Sequence, residues 1–204
     1  MTVQATRRTQ EERRAQTRSA LRQATIDCLV ELGYARTTTA EVLARAGVSK
    51  GAMSHHFASK ADLMLAAMDD LYAELDDRMR AQQQNLPSGP ERVRHAVELL
   101  WSTFEGPLFP AAMELWTAAR TDAALREALG PHERELGRQL RVLLRDMLGP
   151  ALVDEAGFEP AYRLLLTSMR GYALSRPVRA ARGEDVLVDD WVRIVTDLVG
   201  RPRT

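Results

Sequence analysis

Apolar residues recur at intervals of three and four positions along almost the whole of this 204-residue chain. This spacing puts side chains on one face of an α-helix, whereas a half-buried strand needs strict alternation, which is nearly absent here. One clear stripe consists of Leu21, Thr25, Cys28, Leu29 and Leu32. The pattern therefore predicts an all-α chain.

The composition excludes several other classes of protein. Hydrophobic residues make up 45% of the chain, and 28 basic residues balance 28 acidic ones, which excludes a disordered chain. A single cysteine excludes a disulfide framework and a multi-cysteine zinc site, and it fits a reducing compartment. The chain lacks a long apolar run and a signal-peptide core at its N-terminus. We therefore expect a soluble cytoplasmic protein with no membrane partner.

Capping residues and helix breakers predict where the helices begin and end. Thr38 and Glu41 form a capping box, Ser59 and Asp62 form another, and Ser49 can cap a short helix between them. The helices predicted in this part of the chain are Ala40–Ala46, Lys50–Phe57 and 60–84. Ser88 with Glu91 indicates the next start, and breaks are expected at Gly106-Pro107, Gly130-Pro131 and Gly149-Pro150. The following helices are predicted at 91–105, 108–121, 123–129 and 132–148.

Charge is divided unequally along the chain. Ten basic and five acidic residues lie at or before Lys60, so this segment has a formal charge of +5 and the remainder has −5. A basic end on an acidic body suggests that the first part meets a polyanion, although a solvated arm of arbitrary charge gives the same count. The charge split alone does not decide between these readings.

Residues 37–60 have the layout of a helix-turn-helix. Two short helices flank Ala46-Gly47-Val48-Ser49, and the glycine allows the left-handed backbone that a sharp turn requires. The second helix of such a motif enters the DNA major groove. Its first residues here, Lys50, Gly51 and Ala52, are basic or small, which lets the helix backbone approach base edges closely. Apolar residues able to close a small core with the first helix are Val42, Ala46, Val48, Met53 and Phe57.

Residues 18–70 resemble the DNA-binding domain of the TetR family of transcriptional regulators. The matching pieces are Gly33-Tyr34, 37–39, 46–51, His56-Phe57, Ser59-Lys60 and Leu63. The resemblance implies an N-terminal three-helix helix-turn-helix domain and a C-terminal helical bundle for ligand binding and dimerisation. We accordingly divide the chain into a basic flexible arm (1–16), a DNA-binding domain (17–60) and a ligand-binding and dimerisation domain (61–204).

The resemblance also implies which residues touch double-stranded DNA. The predicted contacts are Arg18, Thr38, Thr39, Ser49, Lys50, Gly51, Ala52, Ser54, His55 and Lys60. The threonines and Lys60 would meet phosphates, and Arg18 would reach a phosphate or the minor groove; a threonine in this place can equally be only a cap. Many family members have a tyrosine at Ser54 and an alanine at Leu43, which bears on operator sequence and affinity.

Aromatic and methionine residues concentrate in the second half of the chain, where they can form an ordinary core or line an apolar cavity. The candidate effector residues are Trp101, Phe104, Phe109, Met113, Trp116, Tyr162, Met169, Arg170 and Tyr172. Charged neighbours that could anchor an effector are Glu98, Glu114, Arg120 and Arg170. A cavity of this kind would take a small hydrophobic or amphipathic molecule.

No metal, cofactor or catalytic site is predicted. His55 and His56 are adjacent and point about 100° apart on a helix, and no metalloprotease, phosphate-loop or nucleophile-elbow motif occurs. Cys28 lies on an apolar stripe, which favours an inert buried thiol. We therefore do not expect an enzyme.

The resulting hypothesis is a ligand-responsive transcriptional regulator. It would act as a repressor that binds a palindromic operator as a homodimer and leaves DNA when a small effector binds. The last two helices, with apolar stripes over Tyr162–Ala173 and Val188–Leu198, resemble the family's dimerisation pair. The alternatives are a ligand-independent or activating TetR-like regulator, and a helical interaction module without specific DNA binding.

Overall fold

The computed structural model describes residues 10–83, 86–150, 155–178 and 184–199, and within them it contains helices and no strand. The all-α prediction is confirmed. In chain order the helices are α1 (Gln10–Leu32), α2 (Thr39–Ala46), α3 (Lys50–Ser54), α4 (Lys60–Gln83), α5 (Pro90–Ser102), α6 (Leu108–Ala119), α7 (Ala123–Leu148), α8 (Glu155–Ser175) and α9 (Glu184–Val199), with a short 3₁₀ turn at Arg176–Val178 after α8.

The chain divides into two compact units. The first comprises the residues up to Leu71 together with Pro110–His132, and the second comprises Tyr72–Phe109 and the chain from Glu133 onward. Helix α4 contributes to both. The first unit therefore includes α6 residues and the start of α7 as well as the predicted DNA-binding domain. Residues 10–16 of the predicted arm are helical, because α1 begins at Gln10, and the rest of the arm lies outside the described residues.

A small apolar core holds α1 to the helix-turn-helix. Its buried residues are Leu21, Ala24, Cys28, Val42, Met53, Phe57 and Leu63, with Ala46 and Val48 partly buried against them. This is the core that the sequence predicts. Burial of a large apolar side chain contributes about 1.5–3 kcal/mol, so a few such residues suffice to fix three short helices. Cys28 is buried, as predicted, and burial raises the pKa of its thiol.

The helix α3 is shorter than the sequence predicts. It ends at Ser54, whereas the predicted helix continued to Phe57. The amides of His56 and Phe57 both donate to the carbonyl of Met53, at 2.8 and 2.9 Å, which tightens the last turn and stops the helix. The chain then turns so that Phe57 enters the core and Ser59 caps α4 by accepting the Asp62 amide at 3.0 Å.

Two other predicted boundaries are wrong. Gly130-Pro131 does not break the chain, because α7 runs continuously from Ala123 to Leu148 with Pro131 inside it. Proline removes one backbone hydrogen bond, but α7 is anchored by buried residues before it, at Leu125 and Leu129, and after it, at Leu143 and Leu144, and this packing offsets the loss. Ser88 is not the cap of α5; Gly89 occupies that position without a side-chain bond.

In the second unit α9 packs against α5 and α8. The buried residues of this unit include Trp101, Phe158, Leu165, Trp191 and Val195. Within the described residues, no helix is long and apolar enough to cross a membrane.

Candidate nucleic-acid interface

Both helices of the helix-turn-helix begin at side-chain caps. The Thr38 hydroxyl accepts the Glu41 amide at 3.1 Å, and the Ser49 hydroxyl accepts the Ala52 amide at 3.3 Å. Between the helices Gly47 has φ +64°, a left-handed conformation that costs other residues about 1–2 kcal/mol. The sharp turn therefore follows from local sequence, and it sets the direction of α3.

The helix α3 leaves most of the predicted DNA contacts open to solvent. Thr38, Ser49, Lys50, Gly51, Ser54 and His55 are exposed, and Thr39, Ala52 and Lys60 are half-buried. The capping hydroxyls of Thr38 and Ser49 accept from backbone, so each can still donate its proton to a phosphate. Ser54 differs, because its hydroxyl donates to the Lys50 carbonyl at 3.1 Å and has only its acceptor capacity left.

Arginines of the first unit have several different partners. The Arg18 side chain is exposed and its guanidinium carbon lies 5.6 Å from the centre of the Phe57 ring. Arg45 pairs with Glu31 at 2.7 Å, and Arg22 pairs with Asp70 of α4. Ion pairing reduces the charge that these last two residues present to a polyanion.

Lys60 is placed differently from the other predicted phosphate ligands. Its ammonium donates to the Tyr34 carbonyl at 3.2 Å and lies 4.2 Å from the centre of the Tyr34 ring. Burial lowers the pKa of Lys60, and the nearby Asp122 carboxylate partly opposes this. Sequence analysis missed this contact, because Tyr34 and Lys60 are far apart in the chain and their contact depends on tertiary packing.

The predicted effector residues fall into both compact units. Met113 and Trp116 belong to the first unit, and the others belong to the second. In the second unit Trp101 lies 5.8 Å from Phe104, 5.6 Å from Tyr172 and 5.1 Å from Trp191, measured between ring centres. Trp191 was not among the predicted effector residues, although its position on the last apolar stripe was visible. Rings at these distances are in direct packing contact.

The predicted effector residues on α8 differ from one another in burial and in their contacts. Tyr162 stacks on Phe158 with ring centres 6.0 Å apart, and its hydroxyl donates to the Gly137 carbonyl at 2.8 Å. Burial raises the pKa of Tyr162 to about 12. Met169 is fully buried and Arg170 is exposed. The predicted effector residues of the second unit thus mix core positions with surface ones.

One cavity lies between α4 and α7 in the second unit, with a volume of about 10 Å³. It is lined by Tyr72, Leu75, Asp76, Met79, Leu136, Gln139, Leu140 and Leu143. This volume holds about one water molecule, so an effector cannot occupy it without displacing helices. None of the predicted effector residues lines it.

Two of the predicted charged anchors have protein partners. Glu98 pairs with Arg94 at 3.5 Å, and Glu114 accepts the Tyr34 amide at 2.8 Å. Across the described part of the chain, no group of three or more His, Cys, Asp or Glu residues is arranged to hold a metal ion.

Comparison with known proteins agrees with this geometry. Residues 21–67 match the family model described as bacterial regulatory proteins, tetR family. The chain is 35% identical over 174 residues to the HTH-type transcriptional regulator CymR of Pseudomonas putida, covering 82% of this chain and 83% of that protein.

Two solved structures share the fold. A transcriptional regulator from Saccharomonospora viridis in complex with choline matches with a TM-score of 0.67 at 17% identity, covering 92% of this chain and 97% of that one. FadR from Bacillus subtilis in complex with stearoyl-CoA matches with a TM-score of 0.66 at 15% identity, covering 91% of this chain and 99% of that one. At these identities the match concerns the fold alone.

Proposed function

The chain belongs to the tetR family of bacterial regulatory proteins, and we propose that within this family it is a homodimeric repressor released from DNA by a small effector. The observation that carries the proposal is the capped α2–α3 motif, which presents Lys50, Gly51 and His55 to solvent. Small and basic residues at the start of α3 allow close approach to the base edges and phosphates of DNA. The proposed location of the protein is the cytoplasm, where DNA is present.

The short length of α3 supports the proposal of a dimer. The helix α3 has five residues and can read only a few base pairs, so specificity requires a second copy on a palindromic site. The outer face of α8 supports this, because Leu164 and Leu174 are 54% and 60% exposed there, with Gly171 between them. Large apolar residues on one exposed face are typical of an interface between copies of a chain.

The dimer is tested by sedimentation of two variants. Leu174→Asp places a charge on the proposed interface and should shift the protein to monomer. Val30→Asp is the matched control, since Val30 is also an exposed apolar residue, at 42%, but lies on α1. A Leu174→Asp protein that remains dimeric would move the interface away from this face.

The effector is proposed to be hydrophobic or amphipathic. The support is the aromatic character of the predicted effector residues, together with the amphipathic stearoyl-CoA held by the similar structure of FadR. The effector acts only to the extent that it prefers the conformation that does not bind DNA, and DNA must weaken effector binding by the same factor. Because α4 belongs to both units, its displacement would reach the helix-turn-helix.

A promoter fusion tests the direction of regulation. The DNA upstream of the gene is joined to a reporter, in strains with and without the protein. Repression predicts higher reporter output without the protein, and output restored to the low level by the wild type but not by Lys50→Ala. An activator gives the opposite change. Trp116→Ala should keep repression and lose the effector response; a Trp116→Ala protein that unfolds would identify Trp116 as a core residue.

A further inference from the structure

All the polar groups of Tyr34 are engaged by other elements of the first unit. Its amide donates to Glu114 of α6 at 2.8 Å, its carbonyl accepts from Lys60 at 3.2 Å, and its hydroxyl donates to Asp122 at 3.4 Å. Asp122 also caps α7, accepting the Leu125 amide at 2.9 Å. Tyr34 therefore connects α6 and the start of α7 to the lysine that begins α4.

The backbone at Gly33 makes this arrangement possible. Gly33 has φ +76°, and a Cβ atom added there would lie 2.8 Å from the Glu114 Oε2 atom. The Glu114 carboxylate thus reaches the Tyr34 amide because position 33 has no side chain. A charged acceptor strengthens this hydrogen bond relative to a neutral one.

We propose that Glu114 and Asp122 are positioning residues for DNA binding, which act through Tyr34 to fix the Lys60 ammonium. The proposal rests on the proposed function, because Lys60 is a predicted phosphate ligand. A lysine side chain loses much rotational entropy when it is ordered, so an ammonium held in advance binds a phosphate at lower cost. Its cation–π contact with Tyr34 leaves the charge in place while restricting where the ammonium can go.

The same contacts connect α6 to the predicted DNA-binding surface through Tyr34 and Lys60. Met113 and Trp116, both predicted effector residues, flank Glu114 on this helix. A molecule that packs against either side chain and shifts α6 moves the Glu114 carboxylate away from the Tyr34 amide. The Lys60 ammonium then loses its fixed position, and phosphate binding weakens.

The chain contains only two lysines, Lys50 and Lys60, so protein labelled with ¹³C-lysine gives two sets of side-chain NMR signals. Ring current from Tyr34 should move the Lys60 Hε signal upfield, and Lys50 serves as an internal reference. Tyr34→Leu defines the position of the signal without the ring, and Tyr34→Phe keeps the ring. This measurement needs no DNA, so its outcome is independent of the proposed function.

Glu114→Ala should move the Lys60 signal at least halfway to its Tyr34→Leu position and leave the Lys50 signal unchanged. Glu114→Gln keeps the size of the side chain and should give a smaller shift in the same direction. The matched control is Glu127→Ala, since Glu127 is an exposed acid on α7. A Lys60 signal that is not upfield in the wild type, or that Glu114→Ala leaves in place, overturns the proposal.

A double-mutant cycle on operator DNA adds the functional readout. Glu114→Ala should lower affinity up to about tenfold in the wild-type background. In a Lys60→Ala background the same substitution should change affinity less than about twofold, because the residue it positions is gone. Equal effects in both backgrounds would show that Glu114 acts on DNA binding by some other route, and would also overturn the proposal.

Discussion

The central residues predicted to contact DNA and those predicted to contact an effector differ in their surroundings. Of the first set, Lys50, Gly51 and His55 are exposed on a short capped helix. Of the second, Trp101 is only 6% exposed and packs against several other aromatic rings, including Trp191 at 5.1 Å. The exposed residues of α3 form a surface that is open to a partner, whereas Trp101 packs against Phe104 and Tyr172.

The two proposed kinds of partner account for this difference. A DNA duplex is large and rigid, so its protein surface must be exposed and supported by local caps and turns. A small apolar ligand needs an enclosed space, and the same residues that line such a space also pack well against one another in its absence. The proposed effector would therefore have to separate Trp101 from the rings that it now contacts.

The largest effect is expected for Trp101→Ala. Trp101 is a buried ring at the centre of an aromatic cluster, so its removal should lower the free energy of unfolding by about 3–5 kcal/mol. Urea unfolding measures this, with Val30→Ala, at an exposed apolar residue of α1 outside the proposed dimer interface, as a control that changes stability by no more than about 0.5 kcal/mol. A loss below about 1 kcal/mol for Trp101→Ala would mean that the ring borders open space, and the contrast between the two sets would fail.

Lys50→Ala should leave stability unchanged and weaken operator binding. An exposed cation on the reading helix contributes about 1–3 kcal/mol to recognition, so affinity should fall roughly five- to 150-fold. Fluorescence anisotropy gives the affinity and thermal unfolding gives the stability. The matched control is Arg134→Ala, an exposed cation on α7. Similar losses for both variants would point to general electrostatics in place of recognition by α3.

Gly47→Ala and Gly51→Ala separate folding from recognition within one motif. Gly47 has a positive φ, so an alanine there should cost about 1–2 kcal/mol of stability. Gly51 is helical and no atom lies within 4 Å of where its Cβ would be, so an alanine there should preserve or slightly raise stability. Gly51→Ala should instead weaken DNA binding by blocking close approach. Chemical unfolding and anisotropy of both variants test this; unchanged DNA affinity in Gly51→Ala would contradict it.

The smallest effect concerns Tyr162. Burial raises its pKa from the ordinary value of 10 to about 12, so the folded state favours the neutral phenol. The resulting stabilisation is present below pH 10 and is lost as the pH rises from 10 to 12. Tyr162→Phe should cost about 0.5–1.5 kcal/mol at neutral pH through the lost bond to Gly137. Unfolding measured across this pH window should show a shallower pH dependence in Tyr162→Phe, and parallel curves would contradict this assignment.

Local signals predicted the parts of the fold that depend on local chemistry. The caps at Thr38 and Ser49 and the turn at Gly47 follow from side chains within a few positions of one another. The small core around Val42 was predicted because each of its helices has an apolar stripe. The end of α3 and the continuity of α7 through Pro131 do not, because tertiary packing decides both. Local propensity is a weak guide wherever buried contacts can offset its cost.

The candidate site, like the fold, could be predicted from the sequence only in part. The exposed residues of α3 followed from the motif, whereas the contact of Tyr34 with Lys60 and Glu114 joins three distant parts of the sequence. Glu114 was expected to hold an effector because it lies near aromatic residues in the sequence. The Glu114 carboxylate instead accepts the backbone amide of Tyr34, which is eighty residues away in the sequence. The spacing of apolar residues along the chain does not predict such a contact.

The most direct test of sequence-specific DNA binding is anisotropy of the purified protein on the DNA upstream of its own gene and on a scrambled fragment of equal length, across a salt series. The expected result is at least about a thousandfold preference for the upstream fragment, with affinity falling linearly in a double-logarithmic plot against salt. Equal affinity for both fragments, or no binding even at low salt, would contradict the assignment of residues 38–60 as a surface that reads DNA.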